Sequence, residues 1–133
     1  MARIRLAEGD VIDGFTIGAA LHVGGMAALW GVTHPDHDLP MLMKVPRLAE
    51  GEDPAAIVSF EMEQMILPRL SGPHVPRFVA AGGFDVQPYL VMERIAGASL
   101  LPLLPELPLP AARVAVIGAR VADALEALHR QHV

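Results

Sequence analysis

The stretch Leu21-His-Val-Gly-Gly-Met-Ala-Ala-Leu-Trp30 places two adjacent glycines between two apolar runs. The run before them, Phe15 to Leu21, and the run after them, Ala28 to Thr33, have the length and composition of strands. Glycine allows the backbone of a tight turn, so this pattern predicts a hairpin that closes at Gly24-Gly25. Such a turn also lets backbone N–H groups approach a phosphate, although most glycine pairs serve only the hairpin itself.

Working outward, further apolar runs continue the antiparallel pattern around a helix. A polar turn at His34 to Asp38 leads into a third predicted strand, Met41 to Val45. A helix is predicted from about Ala55 to Leu70, with Asp53 as its N-cap and Pro54 at its first position. Pro68 should end or kink this helix near Ile66, because proline removes a helical hydrogen bond and clashes with the preceding turn. The remaining strands are predicted at Pro76 to Ala81 and Pro88 to Met92.

The last part of the chain is predicted to be a linker and a second helix. Four prolines between Leu100 and Pro110 indicate the linker, and a helical pattern follows to about Gln131. This helix has an apolar stripe with little sequence left to cover it, formed by Val114, Ile117, Val121, Leu125 and Leu128. The predicted fold class is α+β: a five-stranded antiparallel sheet with one packed helix, followed by a helix from another layer. An uncovered stripe of this kind favours association.

The composition excludes several classes of function. The 133 residues correspond to one domain or part of one, and their net charge of −5 argues against binding to a nucleic-acid backbone. The absence of cysteine excludes disulfides, thiolate zinc sites and a cysteine nucleophile. The uncharged stretch from Gly14 to Pro35 is long enough to cross a bilayer, but its five glycines and the central His22 disfavour a membrane span. We therefore expect no membrane segment and, by default, a cytoplasmic location.

Two charged residues lie in apolar surroundings. Lys44 is a lone ammonium in the Met41 to Val45 strand, and Glu63 interrupts the apolar face of the first helix, between Phe60 and Leu67. Burying either charge without a partner is costly, so the pattern indicates an ion pair between them. The alternative is that Lys44 extends its amine to water and Glu63 lies at the edge of the stripe. Glu61 is the competing carboxylate. It shares a helix face with Gln64 and Pro68, and this face is predicted to be more exposed to water than the face that carries Glu63.

A metal site is not predicted in these residues. His34 and His37, with Asp36 and Asp38 beside them, have a spacing compatible with metal ligation. No further ligand set accompanies them, and a solvated hairpin turn explains the same residues.

Four segments, in this order, resemble the N-terminal lobe of bacterial Ser/Thr protein kinases. Leu21 to Trp30 resembles the glycine-rich loop, G-x-G-x-x-G-x-V, with its frequent Gly-Gly-Met core, and Met41 to Val45 resembles the V-A-I-K strand. Phe60 to Leu67 is similar to the helix whose glutamate pairs with that lysine, and Pro88 to Gly97 to the last strand and hinge. The resemblance extends from about Asp10 to the final helix, which is similar to the helix before the catalytic loop.

The resemblance implies a role for each matched residue. Lys44 would hold the α- and β-phosphates of ATP, and Glu63 would orient Lys44. Met92 would be the gatekeeper, with the Glu93 carbonyl and the Ile95 amide at the adenine edge. The rest of the implied nucleotide site comprises the loop residues His22, Gly24, Gly25 and Ala27 and the adenine-pocket residues Leu21, Leu29 and Leu42.

The implied activity is transfer of the ATP γ-phosphoryl group to protein hydroxyls with Mg²⁺. Residues 1–95 would be the N-terminal lobe, and residues 96–133 the hinge and the first helices of the second lobe. The family's catalytic loop, H-R-D-x-x-x-x-N, and its metal-binding D-F-G follow this helix and do not occur in the 133 residues. We therefore expect no catalysis by this chain alone. The resemblance implies ATP and a protein substrate or the second lobe as partners, and the apolar stripe predicts association with another copy.

Three positions depart from the family pattern. His22 and Ala27 replace the first and third loop glycines, and Leu42 replaces the small residue that packs against adenine and so narrows that slot. The alternative hypothesis is a non-catalytic, pseudokinase-like binding or scaffold module whose altered loop reflects lost or weak nucleotide use.

Overall fold

The computed structural model describes residues 5–47 and 54–133. The chain divides into two compact units, with Leu70–Val75 and Ala96–Val133 forming the second and the preceding described residues up to Ile95 the first. The predicted helix cap Asp53 lies outside the described residues.

The first unit is an antiparallel sheet with one helix, which confirms the predicted α+β class. Its strands are β1 Val11–Ile12, β2 Phe15–Val23, β3 Ala27–His34, β4 His37–Pro46, β5 Phe78–Gly82 and β6 Tyr89–Glu93. They lie in the order β1-β2-β3-β4-β6-β5, and every neighbouring pair is antiparallel. Helix α1, Pro54–Ile66, connects β4 to β5.

The sheet has six strands rather than the predicted five. The additional strand, β1, pairs with β2 through the two-residue turn Asp13-Gly14. Both turn residues have positive φ, 50° and 84°. These values fit the type I′ hairpin turn that an Asp-Gly dipeptide favours. The turn predicted at His34 to Asp38 is shorter in the structure. His34 and His37 pair with each other as the adjoining end residues of β3 and β4.

Helix α1 ends where the sequence predicts. It begins at Pro54, and its last residue is Ile66. A single 3₁₀ turn, Leu67–Arg69, follows and contains Pro68. The cause is the proline ring, which cannot supply the N–H that another α-helical turn needs.

The sheet buries side chains on both faces. One apolar cluster contains Ile17, Met43 and Val91, and the other joins Phe60 and Leu67 to Leu90 and Met92 of β6. Because neighbouring strand residues point to opposite faces, Leu90 and Met92 lie on the face that α1 covers. This second cluster fixes the helix that carries Glu63.

Tyr89 joins the β1–β2 turn to the first cluster. Its hydroxyl donates a hydrogen bond of 2.5 Å to Asp13 Oδ2, and its ring lies so close to Gly82 that a Cβ there would overlap it. Burial, and then the neighbouring carboxylate, raise the pKa of Tyr89 well above its ordinary value of 10.0.

Tyr89→Phe is expected to lower the free energy of unfolding by about 1–2 kcal/mol at neutral pH, because the hydrogen bond to the Asp13 carboxylate is lost. The raised pKa means that the folded state keeps the phenol proton above pH 10, where the unfolded state releases it. Wild-type stability should therefore fall as the pH rises above 10.

Tyr89 is the only tyrosine, so the phenylalanine variant should lack this part of the alkaline loss. Urea unfolding at pH 7 and pH 10.5, followed by fluorescence of the single tryptophan Trp30, measures both effects. Equal alkaline losses in the two proteins would contradict the prediction.

The second unit contains a 3₁₀ helix, Leu101–Glu106, inside the predicted linker, and helix α2, Ala111–His129. The side chain of Gln131 accepts a hydrogen bond from the Ser71 amide at 2.8 Å and donates one to the Ser71 carbonyl at 3.0 Å. None of the α2 residues is buried, and Val114 and Val121 of the predicted stripe are 53% and 49% exposed.

In the described part of the chain, no helix has the length and apolar character that a membrane crossing requires.

Candidate functional site

Lys44 of β4 and Glu63 of α1 contact each other. The distance from Lys44 Nζ to Glu63 Oε2 is 2.7 Å, and the two side chains are 29% and 37% exposed. Both charged groups are therefore partly exposed to water, so forming the pair costs less desolvation than it would in a closed core. Of the two alternatives from the sequence, the structure has the ion pair.

The packing of α1 selects Glu63 rather than Glu61. Phe60 and Leu67 are buried on the same side of the helix as Glu63, three and four residues away. Glu61 is exposed and forms no ion pair within residues 5–47 and 54–133. The helix face chosen by burial thus decides which carboxylate reaches Lys44.

Gln64 also positions this helix, a role that was not predicted from the sequence. Its Nε2 donates to the Gly82 carbonyl at 2.8 Å and to the Tyr89 carbonyl at 2.9 Å. The face predicted to be wetter is exposed at Glu61 and Pro68, whereas Gln64 is half-buried against the β5–β6 hairpin. One side-chain amide group can donate hydrogen bonds to two carbonyls, but the Gly82 and Tyr89 carbonyls come together only in the folded hairpin.

The glycine turn joins β2 to β3 at residues 24–26 and is hydrogen-bonded by Arg47, the residue that follows β4. The Gly24 amide donates to the Ala27 carbonyl at 2.9 Å. Arg47 Nη1 donates to the Gly24 carbonyl at 2.7 Å, and the Arg47 amide donates to the Met26 carbonyl at 2.9 Å. The His22 ring lies beside Gly24, 3.2 Å from where a Cβ would be. Arg47 was not among the site residues predicted from the sequence.

Cross-strand register places most of the implied adenine-pocket residues on the face of the sheet that carries Lys44. Leu29 pairs with Lys44, and Leu42 pairs with Met92. Leu42 is half-buried and packs against the cluster that contains Met92. Leu21 is also on this face, because its Cδ2 lies 3.9 Å from the position a Gly31 Cβ would take.

A cavity of about 320 Å³ lies on the same side of the sheet. Its lining includes Thr16, Gly18, Leu21, Gly31 and Arg94, so Leu21 is the member of the implied set that borders it. The space is open at Gly31 because a glycine lies there, opposite a larger leucine on the neighbouring strand. Leu42 fills space beside Met92, whereas its partner Gly31 leaves space open.

The two implied hinge residues lie at and just beyond the end of β6. The Glu93 amide donates to the Arg77 carbonyl at 2.8 Å, and the next amide, that of Arg94, donates to the Pro40 carbonyl at 2.9 Å. Ile95 follows the strand and is 60% exposed. Backbone hydrogen bonds thus hold this segment to Arg77 and to Pro40, up to the residue before Ile95.

The histidine pair at the β3–β4 turn packs with Phe15. The His34 and His37 ring centroids are 5.1 Å apart, and His34 lies 4.6 Å from the Phe15 ring. His34 Nδ1 accepts a hydrogen bond from the Asp36 amide at 3.0 Å. Within the part of the chain that the structure describes, no three His, Asp or Glu side chains form a group that could hold a metal ion.

Comparisons with known proteins agree with the observed fold. No protein-family model matches the chain. It is 30% identical over 131 residues to the Ser/Thr-protein kinase PknF of Mycobacterium tuberculosis and of Mycobacterium bovis, covering 96% of this chain and 28% of the relative. The crystal structure of the M. tuberculosis PknI kinase domain superimposes with a TM-score of 0.76 at 28% identity, covering 96% of this chain and 52% of that one. The chain thus spans about half of that kinase domain and less than a third of PknF.

Proposed function

Because this chain is homologous to bacterial Ser/Thr protein kinases and has the fold of the N-terminal lobe of their kinase domain, we propose that it binds ATP as part of a protein kinase. The complete enzyme would transfer the γ-phosphoryl group to Ser or Thr hydroxyls of proteins. The observation that carries the proposal is the 2.7 Å contact between Lys44 and Glu63 on the face next to the glycine turn. The cytoplasm, which holds ATP, is the proposed location.

Each residue of the site has a physical task in this proposal. The ammonium of Lys44 attracts the α- and β-phosphates, and Glu63 holds that ammonium in place. The turn at Gly24-Gly25 brings backbone N–H groups close to phosphate oxygens, since neither residue has a Cβ to block the approach. Leu21, Leu29, Leu42 and Met92 offer the base an apolar surface.

Magnesium would neutralise phosphate charge during transfer. The described residues offer it no group of carboxylates, and Glu63 is engaged by Lys44. The 133 residues also contain no H-R-D-x-x-x-x-N segment to supply a base. The chain alone is therefore expected to bind nucleotide without transferring phosphate.

A covalent ATP probe tests the proposal. Lys44 is the only lysine in the chain, so an ATP acyl phosphate, which acylates amines held near the phosphates, has one side-chain target. We expect labelling at Lys44 by mass spectrometry and its suppression by excess ATP. The N-terminal amine is the matched internal control, because its labelling should not respond to ATP.

Equal labelling of Lys44 with and without competing ATP would contradict nucleotide binding. An acyl phosphate without the nucleoside is the control reagent, since it measures the intrinsic reactivity of the amine. Loss of labelling on unfolding in urea would show that the folded site, and not the lysine alone, directs the reaction.

The second candidate is a kinase-like binding module without catalysis. His22 beside Gly24 makes the turn bulkier, and Leu42 packs against Met92 where the family has a small residue. Both features favour weak nucleotide use. Labelling of Lys44 that ATP does not suppress, together with intact folding, would select this candidate.

The apolar surface of the second unit indicates that α2 contacts another protein surface, either a second kinase lobe or another copy of the chain. Val114, Val121 and Leu125 of α2 are about half exposed, and burying apolar surface of this extent is favourable. We expect the isolated chain to associate as its concentration rises, unless a second kinase lobe covers α2. Sedimentation velocity over a hundredfold concentration range measures this, with Val121→Glu expected to shift the chain toward monomer. A monomer at every concentration would contradict the prediction.

A further inference from the structure

The glycine turn is held by few contacts other than hydrogen bonds. Val23, which precedes the turn, and Met26, its last residue, are 58% and 65% exposed, so they do not anchor it to the core. A Cβ at Gly25 would have no atom within 4 Å, so no packing surrounds that residue. Glycine also has the largest backbone freedom to lose on ordering. The position of the turn must therefore depend on the hydrogen bonds that reach it.

Arg47 supplies two of those bonds from one residue. Its guanidinium donates to the Gly24 carbonyl at 2.7 Å, and its backbone amide donates to the Met26 carbonyl at 2.9 Å. One bond reaches the residue that begins the turn, and the other reaches the residue that ends it. A charged donor makes the first bond stronger than a neutral one would.

We propose that Arg47 is a positioning residue that fastens the glycine turn to the strand carrying Lys44. Arg47 follows the last residue of β4 directly and lies three residues after Lys44. The distance between the turn amides and the Lys44 amine is thereby fixed through a short, paired segment of chain. That this distance matters for phosphate binding rests on the proposed function, because a site already in place loses less entropy on binding.

Amide hydrogen exchange of the 133-residue chain, without nucleotide, tests whether Arg47 holds the glycine turn in place. In Arg47→Ala we expect the Gly24 amide, which closes the turn, to exchange about tenfold faster, the effect of losing one charged hydrogen bond. Arg47→Lys should restore part of the protection, since an ammonium can donate to the Gly24 carbonyl. Arg120→Ala, which removes an exposed arginine from α2, is the matched control and should change nothing in the turn.

Two results would overturn the positioning role. One is unchanged exchange of the Gly24 amide in Arg47→Ala. The other is faster exchange throughout the sheet, including the fully buried Met43 and Leu90, which would mean that Arg47 supports the fold in general.

Measurements of ATP and adenosine binding test whether the hydrogen bonds from Arg47 to the glycine turn matter for the proposed function. Arg47→Ala should weaken ATP binding about fivefold while adenosine binding changes less than about twofold, because the turn faces the phosphates and not the base. Equal losses for both ligands would overturn the link to phosphate. If the wild-type chain binds neither ligand, the proposed function fails, and the exchange experiment still decides whether Arg47 fastens the turn.

Discussion

Lys44→Met should reduce the affinity of the chain for ATP by about tenfold or more, because the ammonium is the charge that is proposed to contact the α- and β-phosphates. Methionine keeps much of the length and apolar character of the side chain, so the sheet should remain folded. Losing a charge-assisted contact to phosphate costs about 1.5–3 kcal/mol, which corresponds to a factor of about ten to a hundred in affinity. An NMR titration with millimolar ATP can measure weak binding of this kind.

Glu63→Gln should also weaken ATP binding, and the double variant should lose less than the sum of the two single losses. Glu63 acts through Lys44, so its removal has little left to disturb once the amine is gone. With side chains 29% and 37% exposed, the pair is screened by water, and a coupling energy of about 1–2 kcal/mol is expected.

The matched control for Glu63 is Glu61→Gln. It removes a carboxylate two residues earlier on the same helix, at an exposed position, and should leave binding unchanged within about twofold. Strictly additive losses for Lys44 and Glu63, or an equal effect of Glu61→Gln, would overturn the assignment of the pair.

Leu90→Ala is expected to have the largest effect on stability. Leu90 is fully buried and packs with Phe60, Leu67 and Met92, so it joins α1 to the sheet. Removing a buried leucine side chain costs about 2–5 kcal/mol, with the larger values where the cavity cannot collapse. Because Leu90 is also the cross-strand neighbour of Lys44, the loss should loosen the Lys44–Glu63 contact as well.

Urea unfolding followed by Trp30 fluorescence measures this loss, since Trp30 packs against the first cluster in the same unit. Leu90→Met, which nearly conserves volume, should cost less than about 1.5 kcal/mol. Val86→Ala, at a position 75% exposed, should be nearly neutral. A cost for Leu90→Ala no greater than that for Val86→Ala would contradict the account of how α1 is held.

Local features of the sequence were enough to predict most of the elements. The glycine pair between two apolar runs predicts the β2–β3 hairpin, and Pro68 predicts the end of α1, because backbone freedom and missing donors act within a few residues. The short strand β1 was missed although its Asp-Gly turn is also a local signal, since two residues are too few to show alternation. The candidates Lys44 and Glu63 stood out because charges rarely interrupt apolar runs.

The arrangement of the site was decided by contacts between distant parts of the chain. The sequence left open whether Lys44 pairs with Glu63 or extends to water, and the packing of Phe60 and Leu67 decided in favour of the pair. The same holds for Gln64, whose two acceptor carbonyls belong to the β5–β6 hairpin.

The sequence by itself determined the order of the helices and of the five longer strands, and the two charged candidates, since these follow from residue type and spacing. The tertiary structure decided where space remains on the sheet, because Gly31 and Leu42 become neighbours only through the register of β3 and β4. It also decided that Arg47 reaches back to the glycine turn, 23 residues away. Register and helix packing join residues far apart in the chain, and no local pattern encodes those distances.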